Sequence, residues 1–126
     1  PSSRPCRCID RQPLAASPNP SPVPVVHYVV VRADLPHGVQ VAQTAHAVGD
    51  SCERRHPQGT IVVALAVPDE TTLHKIAQAL GAQSQTYALV VENEGPYAGQ
   101  AMAIGVLPTT DRAAVRRAVS ALPLVR

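Results

Sequence analysis

"VVHYVVVRADLPHGVQVAQTAHAVGD", residues 25–50, decides the fold. Its opening run, VVHYVVVR, is β-branched and suits a strand buried on both faces. Pro36 and Gly38 then mark a loop. After them a helix is predicted from about Gln40 to Arg54, stopped by the breakers Pro57 and Gly59. A buried strand leading straight into a helix is the first half of a β-α-β unit, whose second strand lies parallel to the first.

The chain downstream continues that alternation. "TIVVALAV", residues 60–67, reads as a second buried strand. "PDETTLHKIAQALG", residues 68–81, reads as a helix. Asp69 is its expected N-cap, Glu70 complements the dipole and Gly81 is its expected C-cap. Leu73, Ile76, Ala77 and Leu80 form its apolar stripe. "TYALVVE" and "AMAIGVLP" are strands three and four, flanking the turn-rich "NEGPYAGQ". "TDRAAVRRAVSAL", residues 110–122, is a last helix with Val115, Val119 and Leu122 inward. The order β-α-β-α-β-β-α predicts a three-layer α/β domain over residues 25–126. Its four-stranded sheet is mixed, because of the closing hairpin, and carries helices on both faces.

Composition sets outer limits. The 126 residues contain no Phe or Trp, so the core must be Val, Ala, Leu and Ile. No apolar run nears the roughly 18 residues of a membrane span, so no membrane partner is expected. Residues 1–24 hold seven of the 13 prolines and read as an extended arm. Arg4, Arg7 and Arg11 against Asp10 give that arm the whole net charge of +2. The remainder is neutral, which argues against tight, purely electrostatic binding of nucleic acid but leaves room for a local basic patch. Cys6, Cys8 and Cys52 form no secretory framework. The Cys6–Cys8 pair offers two ligands where a closed zinc site needs four, so no metal or cofactor is expected. Free thiols fit an intracellular, cytoplasmic protein, or an organellar one if the arm is a transit segment.

Signatures of serine hydrolases, P-loop enzymes and dinucleotide-binding folds are absent. The polar groups of the first helix are the leading site candidate. Gln43, His46 and Asp50 fall on one side, with Val41, Ala45, Val48 and Cys52 expected to face the core. Histidine titrates near neutral pH, a carboxylate such as Asp50 can orient it, and Gln43 can hold an amide or hydroxyl. Loss of Gln43 or His46 is expected to lower activity and leave stability almost unchanged. Glu92 and Glu94, at the carboxyl end of strand three, are a second candidate. Tyr97 beside them offers a ring on which a base can stack. Arg54, Arg55, Arg112, Arg116 and Arg117 are candidate phosphate contacts.

Three local patterns, "VVVRADL" leading into "VAQTAHA", then "VPDETTLHKIAQAL", then "AMAIGV", together resemble the peptidyl-tRNA hydrolase 2 family. The likeness spans about residues 26–122. It implies a cofactor-independent esterase, commonly a homodimer, that cleaves the bond between a peptide or aminoacyl group and tRNA. Its substrate partner would be peptidyl-tRNA or aminoacyl-tRNA. Gln43 and His46 match the family's polar helix positions. Two positions depart from the pattern. Val39 stands where the family has a lysine, and the loop after strand three reads "ENEGPYAG" in place of an Asp-Ala-Gly-x-Thr loop. The Gly-then-small stretch before "VAQ" and the shortened loop look more like the divergent peptidyl-tRNA hydrolase domain-containing branch. The oxyanion donor would then be protonated His46, amides near Gly38, or Arg32, with His46 or Glu92 as base.

Overall fold

The computed structural model describes residues 23–126, so Cys6, Cys8 and the arm up to residue 22 lie outside the described residues. The run at 25–32 becomes strand β1 (Val26–Arg32), and every residue of it is buried. Helix α1 (His37–Ser51) runs back over one face of the sheet. Strand β2 (Ile61–Val67) then pairs parallel with β1 along its whole length, from Val26 opposite Ile61 to Arg32 opposite Val67. Helix α2 (Glu70–Ala82) follows. β3 (Tyr87–Val91) and β4 (Ala101–Val106) form the antiparallel hairpin. β4 inserts beside β1, with Val30 opposite Ile104. A short helix α3 (Ala113–Val119) packs on α2. Among the described residues the strand order is β2-β1-β4-β3, a four-stranded mixed sheet of the expected α/β class.

The two faces are packed differently. Val26, Tyr28, Val30, Leu65, Val67, Ile104 and Val106 meet Leu73, Ala77 and Leu80 of α2 and Val115 and Val119 of α3. Burying Leu73 and Leu80 fully contributes about 1.5–3 kcal/mol each. Under α1 the apolar set is smaller: Val29, Val31, Ala47, Val90 and Ala103. Gly105 explains why that helix sits so low. A Cβ on Gly105 would overlap the Ala47 carbonyl oxygen and the Ser51 hydroxyl, so only glycine permits this approach.

Several local expectations shift. α1 starts at His37 and ends at Ser51, three residues earlier at each end than expected. Its inward stripe is Gln40, Gln43, Ala47 and Ser51, and Val41 is 71% exposed. Each buried polar group of that stripe has a partner. Gln40 Nε2 donates to the Leu35 carbonyl at 2.7 Å, which ties down the loop before the helix. Ser51 Oγ donates to Ala47 O at 2.6 Å. Helix α2 has the expected Asp69 cap, which accepts from Thr72 N at 2.8 Å. Gly81, however, lies inside the helix. The left-handed residue is Ser84, with φ 56, and the bonds Ser84 N–Gly81 O and Gln85 N–Leu80 O complete a Schellman end. β2 and β3 are the edges of the sheet, so Ile61, Val62 and Val91 are exposed although their sequence reads as core. Residues 123–125 run along β2's outer side. Ala66 N donates to Pro123 O at 2.9 Å and Val125 N to Ala64 O at 3.0 Å. No helix among the described residues is long and apolar enough to cross a membrane.

Candidate functional site

α1 has a buried stripe and two shoulders. At about 100° per residue, Val39, His46 and Asp50 share the shoulder toward β3, with Gln43 at the edge of the buried stripe beside them, while His37, Val41 and Thr44 share the other. Gln43 is 4% exposed and reaches across to the hairpin, where its Nε2 donates to Glu92 Oε2 at 3.0 Å. The reverse amide orientation would set two oxygens against each other, so the carbonyl Oε1 is the atom left for the next turn of the helix. There it faces His46 Nδ1 at 3.3 Å and can only accept. His46 therefore carries a proton on Nδ1. In the neutral imidazole, Nε2 is the nitrogen with a free lone pair. His46 is exposed.

Glu92 is the fixed end of this chain. The Gln43 amide, and then the backbone N–H groups of Asn93 and Glu94, hold its carboxyl below the ordinary carboxylate range. Asn93 N lies 3.0 Å from Glu92 Oε1. The loop itself is pinned at its base: Gly99, with φ 82, donates to Glu92 O at 2.8 Å, and Glu92 N donates to Gln100 O at 3.0 Å. Glu92 thus stays ionised and hydrogen-bonded, which makes it a weak base and a good anchor.

The other candidates are placed as follows. Glu94 is exposed and its amide, not its carboxylate, serves Glu92. Asp50 is exposed on the same shoulder, but the group at His46 Nδ1 is Gln43. Arg32 is removed from oxyanion duty. Its guanidinium forks onto Asp34 through two 2.9 Å bonds, and its Nη1 serves Gln100 Oε1 and Ala101 O. Tyr97 sits half-buried in a 3-10 turn, Gly95–Tyr97, within the loop after Glu92. Arg54 and Arg55 are exposed just past α1. Arg112 donates to the Tyr28 hydroxyl at 2.9 Å and lies over that ring, so it is a packing group. Arg116 and Arg117 are exposed on α3, in the layer opposite α1. The burial of Gln43 also corrects the expectation that its loss leaves stability unchanged. A groove of about 360 Å³ lies on α1's other shoulder, lined by His37, Gln40, Val41, Thr44, Ala64, Val125 and Arg126.

A second constellation joins residues from β1 and from the end of α1 and the segment after it, for which the sequence alone gives no common pattern. His27, wholly buried in β1, has Nε2 at 2.7 Å from Ser51 Oγ and Nδ1 at 2.8 Å from His56 Nε2. Burial, and then the charge of His56, push its imidazole down to about 4. Cys52 completes the cluster, with ligand atoms of all three residues within 4.8 Å of one another. The signal was present: a histidine inside a β-branched buried run must have partners somewhere. Ser51 and His27 do not make a nucleophile and base. The Ser51 proton is already given to Ala47 O, and at 6% exposure the hydroxyl is closed to a substrate carbonyl. Set against known proteins, the chain matches no family model and no curated sequence, so its chemistry rests on these residues alone.

Proposed function

We propose that the chain is a cofactor-independent esterase of the peptidyl-tRNA hydrolase 2 kind, in its divergent domain-containing branch. It would act on the ester between a peptide or aminoacyl group and the 3′ end of tRNA. The observation that carries the reading is the relay Glu92–Gln43–His46, which leaves an oriented imidazole at the surface beside the hairpin. His46 Nε2 takes a proton from water, and the hydroxide attacks the ester carbonyl. Collapse of the tetrahedral intermediate expels the tRNA hydroxyl, which receives the proton back from His46. Gln43 and Glu92 are positioning residues in this scheme. Arg54, Arg55 and Tyr97 lie beyond or beside the same helix and hairpin and are the RNA contacts this reading favours. Homodimer formation and a cytoplasmic setting belong to the same proposal.

One observation favours a second reading, an RNA-binding module with little turnover. Val39 occupies the shoulder position from which a lysine would meet the developing oxyanion. Turnover separates the two. Peptide release from a model peptidyl-tRNA should be measurable for the wild type and fall to background for His46→Ala. Background rates for the wild type, with salt-sensitive tRNA binding retained, leave the binding module. Loss of tRNA binding as well removes both.

A further inference from the structure

We propose that His27 Nδ1, His56 Nε2 and Cys52 Sγ form a three-ligand site for Zn²⁺, or for another borderline divalent transition ion, at the carboxyl end of α1, with a fourth position open.

Three independent features support it. The donor set is two imidazoles and one thiol, the chemistry that zinc and cobalt(II) prefer to oxygen-only sites. The donors converge. In a tetrahedral zinc site with Zn–N about 2.0–2.1 Å and Zn–S about 2.3 Å, ligand atoms lie roughly 3.3–3.6 Å apart. Here the two ring nitrogens are 2.8 Å apart and all three ligand atoms lie within 4.8 Å. Opening the histidine pair by about half an ångström and swinging the Cys52 thiol inward, off the Arg54 carbonyl to which it donates at 2.6 Å, is enough, and Cys52 and His56 are half-buried residues of an otherwise largely exposed segment after α1.

The third feature is a ready outer shell. Ser51 Oγ gives its only proton to Ala47 O. It can therefore only accept from His27 Nε2, 2.7 Å away. That fixes the His27 proton on Nε2 and turns the Nδ1 lone pair toward His56. A ligating histidine whose other nitrogen donates to a fixed acceptor is the arrangement found around protein-bound metals. Without metal the His56 Nε2–H can donate to His27 Nδ1. With metal that proton moves to His56 Nδ1, and the Cys52 thiol releases its proton to solvent. The ion would tie the segment after α1 to the first residues of β1. The site lies at the end of α1, apart from Gln43, Glu92 and His46, and does not depend on the esterase reading.

The test uses the full chain carrying Cys6→Ser and Cys8→Ser, so that the arm supplies no thiolate. Cobalt(II) is titrated under reducing conditions and followed by absorbance. The expected result is one equivalent bound, with a thiolate-to-cobalt charge-transfer band and the strong visible bands of four-coordinate cobalt. Zinc should displace it. Cys52→Ser should abolish the charge-transfer band. His56→Ala should weaken binding at least as much as the roughly 100-fold upper range for losing an outer-shell partner. Both variants alter half-buried positions and leave the buried His27 in place, and circular dichroism confirms their folding. No cobalt spectrum with the metal in excess, or a spectrum indifferent to both substitutions, overturns the proposal.

Discussion

Two glycines of similar sequence standing have opposite physical roles. Gly105 faces α1 with no room for a methyl group, whereas Gly49, inside α1, has nothing within 4 Å of its would-be Cβ. Gly105→Ala should therefore cost on the order of 1–3 kcal/mol, by overpacking against the Ala47 carbonyl and Ser51. Gly49→Ala should stabilise by up to about 1 kcal/mol, because it only removes backbone entropy from the unfolded chain. Denaturant midpoints of the two variants should move in opposite directions. Glu92 invites a different comparison. Its carboxyl is held low by Gln43 and by two amides, which suits an anchor and not a proton acceptor. Glu92→Gln keeps a carbonyl for Gln43 to donate to. Peptide release by that variant should fall by much less than the roughly 10²–10⁴-fold expected on losing a general base. A loss as large as that of His46→Ala would transfer the base role to Glu92. At this scale the sequence was informative about which residues were unusual and silent about their bonds. Gln43 and His46 stood out in an otherwise small, apolar run, and Glu92 stood out at a strand end. That Gln43 joins the other two depends on a contact across 49 positions, which no local pattern encodes.

Among the elements, α1 has the predicted length and a different face inward. Its apolar residues suggested an inward stripe of Val41, Ala45 and Val48, yet the sheet beneath presents Ala103 and Gly105. A helix lying that close has little room for branched side chains, and its inward positions hold Gln40, Gln43, Ala47 and Ser51 with their polar atoms paired. Among the described residues no buried side-chain nitrogen or oxygen lacks a partner. Helix α2 was legible almost throughout, since its cap, its stripe and its packing all agree. Its end was not, because the chain places a serine where the left-handed turn favours glycine. The shoulder geometry of α1 yields its own prediction. Val39 lies one turn before Gln43 and two before His46 on the same side, so Val39→Lys would extend an ammonium over the relay. If the site hydrolyses esters, the variant should gain toward the roughly 100- to 1,000-fold that one oxyanion donor supplies. A folded variant with no gain in single-turnover release would mean that the substrate carbonyl sits elsewhere.

For the whole molecule, the order of layers could be anticipated and the edges could not. Alternation of strand and helix implied the sheet, but β-branched sequence alone does not tell an interior strand from an outer one, and β2 and β3 are outer. Acid sensitivity is one global consequence of the structure. Arg32 holds the Asp34 carboxyl below its ordinary value of 3.8, chiefly by the side-chain hydrogen bond. The folded state binds that proton less readily than the unfolded one. The stabilisation is then complete above the ordinary value and lost as pH falls through the lower folded one. Asp34→Asn should be less stable than the wild type at neutral pH, and the gap should narrow in melts taken below that range. The tail supplies another. Removing residues 123–126 would strip the partners from Ala64 and Ala66 and bare the outer ladder of β2. Light scattering of that truncation should rise with concentration while its circular dichroism still shows both helix and sheet. Scattering unchanged from that of the full chain would show that the ladder needs no cover. The timing of synthesis gives this arrangement a further meaning. β2 emerges from the ribosome long before Pro123 and Val125 exist, so a nascent or prematurely terminated chain carries an adhesive border until those later residues are made and seal it.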